Sequence, residues 1–194
     1  QMGDGTVIDR LSPVQIGTGG WSKISSGGYN AAALKEGGSL WVWGYNYYGL
    51  GDGSSGLNSE KHTPVQVGTE NNWIDVKAGM SSFAIKSDGT LWAWGYNYDG
   101  TLGDGTRTHR YVPTQIGSSS SWVSVSMGGS HTVALQANGT IWAWGANYSG
   151  QLGDGTTVDK VSPVQIGTET WTSINAGGEF TVATKSDGTL WAWG

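Results

Sequence analysis

Proton-transfer or nucleophilic catalysis needs a base beside a nucleophile, or a pair of carboxylates, and this 194-residue chain offers little of either. Cysteine is absent, which removes thiolate nucleophiles, thiolate metal sites and disulfides together. The three histidines, His62, His109 and His131, are too scattered for metal-ligand spacing. His62 and His109 fall in variable stretches ahead of prolines. His131 occupies a recurring position held elsewhere by Asn30, Ser81 and Phe180, where a hydrogen-bonded structural role is expected. Asp4, Asp52, Asp104 and Asp154 recur in Gly-Asp-Gly-Thr/Ser turns, but a calcium loop needs several oxygen ligands within a dozen residues and each turn has one carboxylate. These aspartates are expected to cap backbone N–H groups. The reading is non-enzymatic, with no catalytic residues, no metal and no cofactor.

Recognition chemistry is better represented. Scaffold positions in a repeat must be alike, whereas a binding face need not be, so the residues that differ between copies mark the candidate surface. One set is Tyr29-Asn30, Met80-Ser81, Ser130-His131 and Glu179-Phe180, expected at strand entries around a central channel. The other is a loop set of tyrosines, Tyr45, Tyr47, Tyr48, Tyr96, Tyr98 and Tyr148. Tyrosine combines a rigid apolar face with a polar tip, which suits protein contacts and the apolar faces of sugars.

These residues are positioned by a repeat of about fifty residues. Trp-x-Trp-Gly occurs four times, ending at Gly44, Gly95, Gly145 and Gly194. Ahead of each copy lies a turn, Gly37-Gly38, Asp88-Gly89, Asn138-Gly139 or Asp187-Gly188, of the kind that joins two antiparallel strands. A further strand starts at Trp21, Trp73, Trp122 and Trp171. A short Pro-x-Gln-Ile/Val stretch at 13–16, 64–67, 113–116 and 163–166 completes the set, its proline suiting the start of an edge strand. Four short antiparallel strands per unit, no unit able to bury both faces alone, describe a β-propeller blade. All twelve tryptophans fall at three positions per repeat and read as core between blades. The expected fold is all-β, one repeat domain over residues 1–194 with four four-stranded blades. Its N-terminal outer strand at 13–16 is placed to complete the C-terminal blade, or that of a neighbouring copy.

From Gly129 to Gly153 the run Gly-x-His-Thr-Val-Ala-Leu, followed by Gly-Thr-Ile-Trp-Ala-Trp-Gly-Ala-Asn-x-x-Gly-Gln-Leu-Gly, resembles the regulator of chromosome condensation repeat family. A microbial or viral member is expected. The resemblance implies a propeller, usually of seven blades, and a family whose members include a nucleotide-exchange factor, a plant ultraviolet photoreceptor and a β-lactamase inhibitor. Fold transfers across so diverse a family better than function does.

A net charge of −5 with scattered basic residues argues against nucleic acid as a partner, since no Lys/Arg surplus exists to displace counterions. No apolar run is long enough for membrane insertion as a helix. The leading expectation is a recognition or scaffold module that binds a protein partner, or its own copies, through one propeller face. A glycan-binding, lectin-like propeller is the alternative. Exchange activity on a small GTPase rests on the resemblance alone. Low charge with abundant Ser, Thr, Asn and Gly suggests an extracellular, cell-surface or viral-particle location.

Overall fold

The computed structural model describes residues 2–56 and 58–194. It is all-β, with fifteen strands in four sheets. Blade 1 comprises β1 (Trp21–Gly27), β2 (Asn30–Lys35), β3 (Leu40–Gly44) and β4 (Lys61–Gln66). Blade 2 is β5 (Trp73–Lys77), β6 (Ser81–Lys86), β7 (Leu91–Gly95) and β8 (Arg110–Gln115), and blade 3 is β9 (Trp122–Met127), β10 (His131–Gln136), β11 (Ile141–Gly145) and β12 (Lys160–Ile166). Blade 4 has three strands, β13 (Trp171–Ala176), β14 (Thr181–Lys185) and β15 (Leu190–Trp193). Each sheet is an antiparallel meander in chain order.

The alternation within each Trp-x-Trp strand explains the stacking. Side chains two residues apart share a face. Trp94 therefore enters a core with Leu34, Leu40 and Val42 of blade 1, while Leu91 and Ala93 turn the other way to meet Trp122, Val125 and Trp144 of blade 3. A third core joins Val133, Leu135 and Ile141 to Trp171 and Ala183 of blade 4. Blades 2 and 3 thus each bury one face against the preceding blade and one against the following blade, as the tryptophan positions led us to expect. Blades 4 and 1 share no comparable core among the described residues, so the array is an open arc.

Two details differ from the sequence reading. The outer strands begin before their prolines: Pro64 is the fourth residue of β4, beside the irregularity in pairing between Val42 and Gly44. A residue without an N–H is tolerated there because this strand is the sheet's outer edge. Residues 13–16 do not form a strand at all, and the fourth sheet has three strands where four were expected. The segment is mostly exposed, and no strand pairs with it among the described residues.

Candidate functional site

The long connection after each Trp-x-Trp-Gly is built around a buried asparagine. The Oδ1 of Asn97 accepts from the N–H of Leu102 at 2.9 Å, while its Nδ2 donates to the Thr108 carbonyl at 3.0 Å and to Asp104 Oδ1 at 3.1 Å. Asn147 does the same with Leu152, Val158 and Asp154, and Asn46 holds Leu50. The aspartates behave as turn caps: Asp104 Oδ1 accepts from the N–H and the Oγ1 of Thr106 at 3.0 and 2.8 Å. Burial alone would raise the Asp104 pKa, but Thr106 and the Arg110 guanidinium outweigh it and hold the carboxyl below its usual value. With its loop tied down at the Asn and Asp, the tyrosines flanking the Asn are left to project outward.

They meet as one run of rings. Tyr29 lies edge-on to Tyr45 at 6.0 Å, Tyr45 stacks with Tyr47 at 6.2 Å and 11°, and Tyr47 meets Tyr48 at 4.9 Å. Tyr48 carries the run across to blade 2, where it contacts Tyr96 at 5.1 Å, and Tyr96 meets Tyr98 at 5.5 Å. His109 fills the centre, 4.5 Å from Tyr98, 5.3 Å from Tyr48 and 5.5 Å from Tyr96. Its Nδ1 accepts from the Asn97 N–H at 2.9 Å, and burial lowers its pKa. Burial and then the Asp99 carboxylate push Tyr96 up to about 12. The cluster presents polar-tipped aromatic surface, with Tyr29 and Tyr98 each 63% exposed.

Tyr29, Asn30, Tyr45, Tyr47, Tyr48 and Met80 line a cleft of about 450 Å³. Tyr29 and Met80 also border a second groove of about 570 Å³, reached by Ser81, Met127 and His131. The structure thus joins the two sequence-derived sets at blade 1. It does not join all of them. Tyr148 donates instead to Glu179 Oε1 at 2.9 Å on the blade 3 to blade 4 side, and this acceptor raises its pKa. Phe180 is half exposed beside Gly177, and Ser130 is partly buried at the entry to β10.

In blades 1 and 3 the recurring-His position ties one blade to the next. His131 is fully buried, with Nε2 2.9 Å from Thr181 Oγ1 of blade 4, and burial brings its pKa down to about 4. Asn30 Nδ2 donates to the Gly79 carbonyl of blade 2 at 2.8 Å, and Ser81 Oγ donates to the Tyr96 carbonyl at 2.8 Å. Asn30 thus lines the cleft, and Ser81 and His131 line the larger groove, while their polar tips are tied to the scaffold. His109 is the member that the sequence reading missed: it lies twelve residues beyond Asn97 in a stretch with no periodic signal, where blade 3 puts Asp159 onto the N–H of Asn147.

Models of the regulator of chromosome condensation (RCC1) repeat match residues 88–135 and 138–184, and a second model of the same description matches 21–50 and 122–151. No curated protein matches the chain. Among solved structures, Prp20p from Saccharomyces cerevisiae, described with its binding properties to Gsp1p and histones, superposes with TM-score 0.83 at 22% identity, over 94% of this chain and 49% of that one. Yeast RCC1 (Prp20) bound by Kap60 gives 0.76 at 24% identity, over 90% and 43%. Human WBSCR16 gives 0.72 at 22%, over 84% and 44%. The chain therefore spans less than half the length of each of these proteins, and at such identities the likeness is one of fold. Together with four blades in the expected repeat order, these matches place the chain in the regulator of chromosome condensation repeat family.

Proposed function

We propose that the chain is a non-enzymatic recognition module that captures a protein partner through the tyrosine face of blades 1 and 2. The observation that carries this reading is the unbroken ring run from Tyr29 to Tyr98, which bridges two blades and borders a cleft. Such rings offer large contact area at little cost in side-chain freedom, and interface energy concentrates on residues of this type. The rigid sheet behind them keeps the surface pre-organised. Protein partners named for Prp20p, namely Gsp1p, histones and Kap60, lend support by analogy of fold.

The test is partner capture by cross-linking from the source organism, followed by affinity measurement with the purified partner. Tyr47→Ala and Tyr98→Ala should each weaken binding at least tenfold while leaving thermal unfolding within about 1 °C. Unchanged affinity in both variants would reject the tyrosine face. The parallel Tyr45 and Tyr47 rings beside the partly buried Asn30 also favour a sugar as a second reading. Loss of signal on a glycan array in the same variants, without any protein partner, would select it.

A further inference from the structure

His109 places a titratable ring in the tyrosine face, at the crossing from blade 1 to blade 2. Its Nδ1 accepts from the N–H of Asn97 at 2.9 Å. Only a bare ring nitrogen can accept, so this backbone donor fixes both the orientation of the ring and its tautomer, with the proton of the neutral imidazole on Nε2. The donor belongs to the residue that folds the whole connection between β7 and β8. Asn97 has no measurable exposure, and its side chain ties Leu102, Thr106 and Thr108. The partly buried imidazole therefore hangs from a residue that is itself held on every side.

From that anchor the ring supports three tyrosines. Tyr98 lies 4.5 Å away and Tyr48 5.3 Å, both edge-on, while Tyr96 lies 5.5 Å away with its plane within 29° of the imidazole. Tyr48 comes from the blade 1 loop and the other two from the blade 2 loop, so His109 and Tyr96 together join the two halves of the ring run. Charged groups around it are few. Asp99 acts on the Tyr96 hydroxyl, and Arg107 is held between the Tyr98 carbonyl at 2.8 Å and Asp159 of blade 3 at 2.9 Å. No carboxylate bonds to the imidazole among the described residues, and burial holds its pKa below the ordinary 6.5.

Blade 3 makes the same bond without a histidine. There Asp159 Oδ1 accepts from the N–H of Asn147 at 2.9 Å. Burial alone would raise the Asp159 pKa, but Arg107 and the Asn147 N–H outweigh it and hold the carboxyl below its usual value. Such an aspartate stays an acceptor in mild acid. An imidazole does not, because its protonated form has two N–H donors and no acceptor, and Nδ1–H would then confront the Asn97 N–H. We infer that His109 is a pH-operated latch on the tyrosine face: proton uptake at Nδ1 releases the ring from Asn97, and with it the contacts that hold Tyr48 and Tyr98 in one surface. Asn97 is tied by its own side chain, so the imidazolium is the group that moves. The consequence for partner capture rests on the tyrosine face being the binding surface, whereas the latch itself needs no partner. Neutral His109 is the latched form, so capture is complete above the pKa of the ring and weakens as pH falls through it, by at most tenfold per pH unit for one proton.

An NMR titration of the isotopically labelled protein alone, from about pH 8 to about pH 4.5, reads the latch directly. The His109 Cε1–H, the Asn97 amide proton and the ring protons of Tyr48 and Tyr98 are expected to move with one midpoint, below 6.5. His109→Asp installs the blade 3 acceptor and should hold the Asn97 and tyrosine signals still over the same range. His131 is present in both proteins, so its own protonation toward about 4 does not account for a difference between them. A His109 signal that fails to titrate in this range, one that titrates without moving Asn97, or tyrosine shifts that persist in His109→Asp overturns the inference. The first two outcomes are read on the unaltered chain and stand even where the variant does not fold. Still signals together with weakened capture in Tyr47→Ala and Tyr98→Ala overturn the latch and leave the tyrosine face standing. Moving signals with capture unchanged in both tyrosine variants support the latch and reject the face as the binding surface.

Discussion

The side-chain carbonyl of Asn97 accepts the backbone N–H of Leu102 at 2.9 Å, and neither residue has any measurable solvent exposure. Its amide meanwhile holds the Thr106 and Thr108 carbonyls at 3.1 and 3.0 Å. One short side chain thus satisfies three backbone groups of a loop that forms no ladder of its own. Asn97→Ala leaves those groups unpaired at a site water cannot reach, and such groups cost about 1–3 kcal/mol apiece when relaxation is incomplete. Urea unfolding should show a loss of about 2–4 kcal/mol with an unchanged slope. A loss under about 1 kcal/mol would mean that the loop finds other partners.

Pattern alone exposed the strands but not this loop. Asp-Gly and Asn-Gly turns and Trp-x-Trp alternation are local signals, each fixed by the backbone geometry of neighbouring residues, and the hairpins β6–β7 and β10–β11 fall where those signals put them. The outer strands were legible in place but not in length, because Pro64 marked the edge while the pairing that begins at Lys61 depends on Gly44 across the sheet. The tyrosines of the candidate site were legible because they vary where the scaffold repeats. His109 was not, since its contact with Tyr98 depends on how the fourteen-residue connection between β7 and β8 folds back, and that is set by the hydrogen bonds of Asn97 rather than by spacing. Residues 13–16 carried the outer-strand motif faithfully, yet a strand needs a partner edge, and the motif says nothing of where that edge is.

Acid sensitivity should trace to His131. Held neutral by burial, its folded pKa of about 4 lies below the ordinary 6.5, so the unfolded chain takes up a proton that the folded one refuses. The contribution to stability is complete above pH 6.5 and is lost as pH falls from there through about 4. The total at stake is on the order of 3 kcal/mol. His131→Asn, the residue that blade 1 uses at Asn30, should flatten the stability profile across that window. An unaltered slope in chemical unfolding between pH 6.5 and 4 would assign the acid response elsewhere.

Glycine 103 separates space from conformation. A Cβ there would lie 2.6 Å from Trp144 Nε1, and the backbone stands at φ 79°. Gly150 shares the conformation, at φ 80°, but faces open space. Gly150→Ala should cost only the left-handed penalty of about 1–2 kcal/mol. Gly103→Ala adds displacement of an indole whose N–H donates to the Thr101 carbonyl at 2.8 Å, and its loss should exceed that of Gly150→Ala by about 2 kcal/mol. Equal losses would show that the blade 2 to blade 3 contact yields without strain.

Lys86 tests what holds a buried cation in a chain with few charges. Only 5% exposed, its ammonium lies 3.8 Å from the Trp92 ring centroid and 4.7 Å from that of Trp73, and 2.7 Å from Glu70 Oε1. The Glu70 side chain is 53% exposed, so water competes for it and an ion pair of this kind contributes under about 1 kcal/mol. The indole faces are shielded, and there the attraction reaches about 2 kcal/mol. Lys35 and Lys185 sit between equivalent tryptophans, whereas blade 3 uses Gln136, whose amide reaches Ser119 Oγ at 3.1 Å. Glu70→Gln should therefore change stability by less than about 0.5 kcal/mol and Lys86→Met by about 1–2 kcal/mol, with a change in tryptophan fluorescence only in the second. If the Glu70 variant costs as much as the Lys86 variant, the carboxylate rather than the rings holds the lysine in place.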